Sequence, residues 1–248
     1  MGSAVTYAKN SMIRESHSIR VAGVLEEWRL EWLTKPKPVC MPPDPIWFTC
    51  PCSGFEFGQR GKLAVVRLRG SKEIDRLDIS AYFEADYAEA QGQAVLRYKP
   101  TLDTDIDHAE DGLLAKQVAK RSTVKVMSFA DYNHDGQASE FVVQTSTAPC
   151  GKHYGIAIGT SSQQPKLHAF ASVAHPDVPL ELPMWVWAQL RTSAGPLRAV
   201  TWRCGDHAST EETEIEVEAT AQGFRAVTRD FECTEDDHRG ALKQQSDF

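Results

Sequence analysis

The chain has 248 residues, enough at about 150 per domain for one large domain or two small ones. Its 42% hydrophobic and 25% charged residues exclude a disordered or collagen-like polymer. The net charge of −7 excludes a general nucleic-acid binder, because no basic surplus is left to neutralise phosphates.

From the N-terminus, residues 1–18 carry no apolar run long enough for a signal-peptide core or a membrane span, and none follows before Leu30. Met1-Gly2-Ser3 reads as a cloning remnant, and residues 1–18 as a disordered lead-in. Met1-Gly2 with Thr6 also fits the short myristoylation pattern. Strand signals then dominate. Ile19, Val21 and Gly23 open an alternating run, and Trp28, Leu30 and Trp32 continue it with period two. After the Cys/Pro-rich stretch that starts at Cys40, Leu63 to Leu68 is a β-rich run between Gly61 and Gly70. Ile74 to Ile79, Val124 to Phe129, Phe141 to Thr145, Tyr154 to Ile158 and Leu167 to Val173 follow as strands. Ala199 to Cys204, Glu214 to Ala219 and Phe224 to Cys233 complete the set. Ile215, Val217 and Ala219 alternate with Glu214, Glu216 and Glu218, the mark of an antiparallel sheet with one wet face.

Two short helices are expected. His108 to Lys120 has Asp107 as N-cap and Glu110 three residues on, and Pro183 to Leu190 begins with a proline suited to a first turn. No repeat period of 20–50 residues is present. The expected fold is all-β or β-dominated α+β, with antiparallel, sandwich-like sheets. A single domain is expected over residues 19–233, with 234–248 a flexible polar tail.

Six cysteines, Cys40, Cys50, Cys52, Cys150, Cys204 and Cys233, fit disulfides in an oxidising compartment. Cys204 and Cys233 end two expected strands that could lie side by side. Cys40 would pair with Cys50 or Cys52, and the remaining one with Cys150. The rival is zinc held by Cys50-Pro-Cys52 and Cys204-Gly-Asp-His207, although neither spacing is that of a C-x2-C finger.

The stretch from Phe129 to Phe141 carries the chemistry. Asp131, Asn133 and Asp135 place oxygen side chains at loop positions 1, 3 and 5, and Gly136 permits the turn that wraps them round one cation. Gln137 would add a backbone carbonyl, and Glu140 is the next acid. Hard oxygens in a flexible loop favour calcium over magnesium or thiophilic metals. An EF-hand is excluded, since Val142 stands where its bidentate Glu belongs and both flanks read as strands. A strand, a D-x-N-x-D-G loop and a second strand, here near residues 124–145, resemble the calcium-bearing hairpins of FG-GAP and VCBS repeats. Only Asp131, Asn133, Asp135 and Gly136 carry that resemblance, about a dozen residues of the chain. The acid that such loops place at position 9 is here Glu140, one place late, with Ser139 in its stead. The competing reading is a solvated Asp/Asn/Gly turn that needs no metal. A second acidic run, Asp103 to Asp111, invites the same cation-site reading, but it has His108 in place of the glycine and a helix start accounts for Asp107, Glu110 and Asp111 without metal.

Trp185 and Trp187 lie among prolines and could rim a glycan groove, since sugar faces stack on aromatic rings. The local His/carboxylate pairs are His207 with Asp206 and His175 with Asp177. No H-E-x-x-H, G-x-S-x-G or phosphate-loop motif is present. The leading expectation is a secreted domain, extracellular or periplasmic with its natural signal peptide removed, stabilised by structural calcium and binding extracellular polysaccharide. A hydrolase with an unrecognised carboxylate or histidine site is the alternative, and a structural or surface-assembly domain the third.

Overall fold

The computed structural model describes residues 12–40, 57–83, 92–97, 122–148, 152–193, 195–220 and 223–248. Among them the fold is β-dominated, with four antiparallel sheets and one short α-helix. None of their helices is long and apolar enough to cross a membrane. The expected helix over His108 to Lys120, the acidic run from Asp103, and Cys50, Cys52 and Cys150 lie outside the described residues. The chain divides into two compact units, residues 1–127 with 144–154, and residues 128–143 with 155–248.

The first unit contains β1 (Met12–Val21), β2 (Val24–Trp32), β3 (Lys37–Cys40), β4 (Phe57–Gly61), β5 (Leu63–Arg69), β6 (Lys72–Asp78) and β7 (Ala94–Arg97). β1 begins inside the stretch expected to be a disordered lead-in. Four strands form a sheet in the order β1-β2-β5-β6, and three form another in the order β3-β4-β7. A two-residue turn joins β1 to β2, with Ala22 and Gly23 both at positive φ (47° and 80°). That is the turn whose twist matches a right-handed hairpin. The period-two reading of β2 is correct: Trp28, Leu30 and Trp32 are buried and face Arg67, Val65 and Leu63 across the ladder. β5 is buried on both faces along Leu63 to Leu68, a β-rich run interrupted only by the buried Arg67.

Glu26 extends the buried face of β2 and brings a charge into it. Its carboxylate accepts hydrogen bonds from Arg67 Nε (2.9 Å) and Nη2 (3.1 Å), from Arg69 Nε (3.1 Å) and Nη2 (3.0 Å), and from Trp28 Nε1 (3.1 Å). The Arg67 guanidinium also lies over the Trp28 ring at 5.2 Å. Burial alone would raise the Glu26 pKa, but the hydrogen bonds from Arg67 and Arg69, the Arg67 charge and the Trp28 donor outweigh it and hold the pKa below the ordinary value.

The segment Val124 to Phe129, expected as a strand, forms no ladder. In its first half, side chains of β1 take the backbone groups a neighbouring strand would have used. Glu15 accepts the amides of Val126 (2.9 Å) and Met127 (3.0 Å), and Arg14 donates to the Val124 carbonyl (2.7 Å).

β8 (Glu140–Ala148) and β9 (Lys152–Gly159) pair with one another, and their residues are divided between the two units. The second unit further contains β10 (His168–Ala169), β11 (Glu181–Pro183), α1 (Met184–Leu190), β12 (Leu197–Trp202), β13 (Glu211–Thr220), β14 (Gly223–Cys233) and β15 (Arg239–Asp247). The strand expected over Leu167 to Val173 is reduced to β10 and two isolated bridges, Ala171 to Pro179 and Ser172 to Phe224. β12 to β15 form a meander in chain order. Ile215 and Val217 are buried, while Glu214 and Glu216 form ion pairs with Arg229, Arg239 and Arg198 on the wet face. Residues 234–248, expected as a flexible tail, instead turn back and pair with β14 as β15. Their polar composition reflects a strand that packs little apolar surface and is held by backbone pairing. Cys204 and Cys233 form a disulfide with Cα atoms 5.6 Å apart.

Two outcomes follow. Glu26→Gln leaves Arg67 and Arg69 without their shared countercharge and costs about 3–5 kcal/mol in urea unfolding. Because folding lowers the Glu26 pKa, its contribution is present above the unfolded carboxylate pKa and is lost as pH falls through the folded one. Acidification therefore destabilises the wild type more than the variant. The disulfide closes a separation of 29 residues, and Cys204→Ser/Cys233→Ser loses about 3–4 kcal/mol by chain-entropy reasoning, read as a fall in melting temperature.

Candidate metal centre and an adjoining groove

The D-x-N-x-D-G loop lies in the second unit, closed by a bridge in which Ala130 and Glu140 exchange backbone hydrogen bonds (2.8 and 3.2 Å). Only the outgoing flank is a strand, β8; the incoming one is irregular. His134 and Gly136 take positive φ (57° and 88°), which lets the backbone curl round the acidic side chains. Asp131 accepts the amides of Asp135 through Oδ1 (3.0 Å) and of Gly136 through Oδ2 (2.9 Å). Asn133 Oδ1 also accepts the Asp135 amide (3.0 Å). Asp135 accepts the amides of Gln137 (2.9 Å) and Ser162 (2.6 Å). The loop therefore brings Asp131, Asn133 and Asp135 together. Each Asp carboxylate oxygen takes one amide and retains acceptor capacity.

Glu140 is fully buried at the root of the loop. Its Oε2 accepts the Tyr132 amide (2.8 Å) and its Oε1 the Ser139 hydroxyl (3.0 Å). The Thr160 carbonyl, also 3.0 Å from Ser139 Oγ, is the alternative acceptor for the single proton of that hydroxyl. Burial pushes the Glu140 pKa up to about 8, against the lowering by Tyr132 and Ser139 and with the help of the negative charges of Asp135 and Asp131. Among the described residues no Lys, Arg or His forms an ion pair with Asp131, Asp135 or Glu140. Nor do any three His, Cys, Asp or Glu side chains converge there as a metal cage. A cation on this loop would draw its third side-chain oxygen from Asn133, while Glu140 is held back by Tyr132 and Ser139. The donor chemistry, hard oxygens only, fits calcium.

The other sequence candidates are placed elsewhere. Trp187 does not rim a groove: it is a core residue, donating to the Gly155 carbonyl (2.8 Å) and packed edge-on against Tyr132 and Phe224. Its apolar ring is more stable buried among aromatics, with its one polar atom satisfied. Trp185, on the same helix, is exposed and stands without it. Cys204 is engaged in the disulfide and is not a zinc ligand. His175 and Asp177 are exposed and do not bond to one another. In the first unit His153 is held neutral, its pKa pushed down to about 4 by burial and by the Arg97 charge.

Beside the loop runs a groove of about 430 Å3, which the sequence reading passes over. Asn133 and Asp135 form one end. Ser161 to Gln164 contribute polar lining, and Val173 and Pro176 apolar lining. Phe170 and His168, with ring centroids 4.4 Å apart, also line it. The signal in the sequence is the polar run Ser161-Ser162-Gln163-Gln164, which has no periodicity and is indistinguishable from a surface turn. Comparison with protein-family models, curated proteins and solved structures gives no match to this chain.

Gly159, at the end of β9, lets the Glu140 backbone approach. A Cβ there would lie 2.8 Å from Glu140 Cα and 3.0 Å from its Cγ, closer still to the Ser139 carbonyl. Gly159→Ala therefore displaces the root of the loop and lowers stability by about 1–3 kcal/mol in chemical denaturation, whereas Gly195→Ala, with open space around it, is near neutral.

Proposed function

We propose that the chain is a calcium-binding β-rich domain of an extracellular or periplasmic protein, in which calcium is structural. Asp131, Asn133 and Asp135 would hold the ion, with the Gln137 carbonyl completing the loop's own donors. Calcium takes six to eight oxygens in flexible geometry, which suits a short irregular loop better than the strict octahedron of magnesium. The observation that carries the reading is the convergence of the Asp131, Asn133 and Asp135 side-chain oxygens round one curl of backbone, with neither Asp ion-paired to a base among the described residues. A divalent cation on the loop would offset the negative charges of Asp131 and Asp135, which are otherwise met by backbone amides and solvent alone. The Cys204–Cys233 disulfide supports the oxidising compartment. The likeness to FG-GAP and VCBS hairpins is kept at the level of the loop alone.

Calcium is expected to raise the melting temperature of EDTA-treated protein, by an amount equivalent to about 2.7 kcal/mol at a hundred times its dissociation constant. Asp131→Ala and Asp135→Ala are expected to abolish that response. Superimposable melting curves with and without calcium, together with no calcium in elemental analysis, would overturn the reading.

A further inference from the structure

We infer that the groove beside the loop is a binding site for a neutral oligosaccharide segment. Its volume, about 430 Å3, falls in the range of small-molecule sites. Its lining separates into two chemistries. Ser161, Ser162, Gln163, Gln164 and Thr220 offer hydroxyls and amides, each able to donate and accept, as vicinal sugar hydroxyls require. Val173 and Pro176 offer an apolar surface for the C–H face of a pyranose ring, and Val173 is 52% exposed.

Charge narrows the ligand class. Among the described residues no Lys or Arg lines the groove, and the one carboxylate there is Asp135. A phosphate, sulfate or uronate would meet that negative charge with the His168 imidazole as the one basic side chain among the described lining residues, so without a bound cation the site disfavours anionic ligands.

The polar lining is also held in place before any ligand arrives. Ser161 N–H donates to the Gln164 carbonyl and Gln164 N–H to Ser161 Oγ, both at 2.9 Å, and Ser162 N–H is anchored on Asp135 (2.6 Å). A lining fixed by its own backbone loses little entropy on binding, while the exposed Ser162, Gln163 and Gln164 side chains remain turned outward from that frame. Apart from Asn133 and Asp135 these residues lie outside the loop, so the binding of a neutral segment does not require calcium, whereas the preference over an anion rests on the Asp135 charge and is read in EDTA.

The test is calorimetric titration of the whole chain with cello-, xylo-, manno- and malto-oligosaccharides, and with oligogalacturonate as the anionic control, each in EDTA and in calcium. Binding of at least one neutral series is expected. Ser162→Trp, which fills the groove from an exposed position, and Gln164→Ala are each expected to weaken it by about tenfold or more. Their unchanged melting temperatures would establish that both variants fold. Absence of binding by every neutral series in both buffers, preference for the anionic control in EDTA, or full binding by a folded Ser162→Trp protein would each overturn the assignment. Because both buffers are used, failure of the calcium reading leaves this outcome readable.

Discussion

The second unit is organised around one electrostatic constraint, the buried carboxyl of Glu140. It is positioned by the strand that begins there, by the bridge to Ala130 and by the space left at Gly159. Moving it would leave the Tyr132 amide without its acceptor. Tyr132 is also one of the aromatic neighbours of Trp187. The acid, the loop and the aromatic core are therefore tied through a single residue, and the loop geometry is set by the packing behind it as much as by the residues within it.

The first unit meets a similar problem differently. Glu26 is as deeply buried, but two guanidiniums compensate it, and an indole donates as well. Buried ion clusters of this kind contribute little net stability compared with apolar packing, yet they penalise any arrangement that separates their members. The contrast lies in how each carboxyl is handled: Glu26 is met by two guanidiniums and its pKa falls, whereas Glu140 is met by neutral donors only and its pKa rises.

Much of the architecture could be read from residue order, because it rests on local periodicity. The alternation of Trp28, Leu30 and Trp32, and of Ile215 with Val217, comes from the pleat itself and survives in the fold. The spacing of Asp131, Asn133, Asp135 and Gly136 likewise reports a local curl of backbone. Failures came where distant groups decide the outcome. Val124 to Met127 has strand composition, but its amides are taken by Glu15, more than a hundred positions away. Residues 239–247 have the composition of a tail, but β14 offers them an edge. Trp187 differs from Trp185 only in which side of a two-turn helix it occupies. The groove was illegible because its walls come from four separate stretches of chain, none with a pattern of its own.

The two-residue turn at Ala22 and Gly23 has a consequence beyond joining β1 to β2. A tight turn permits one alignment of the strands it connects. A slip of one position along β2 would exchange the faces of Glu26 and Glu27, turning the first toward water and the second into the space occupied by Arg67. Neighbouring glutamates make the composition of the two alignments nearly identical, so hydrophobic content alone discriminates weakly at this end of the strand. The left-handed backbone of two small residues at the hairpin tip thus acts as the ruler that decides which of two adjacent acids is sealed inside the sheet.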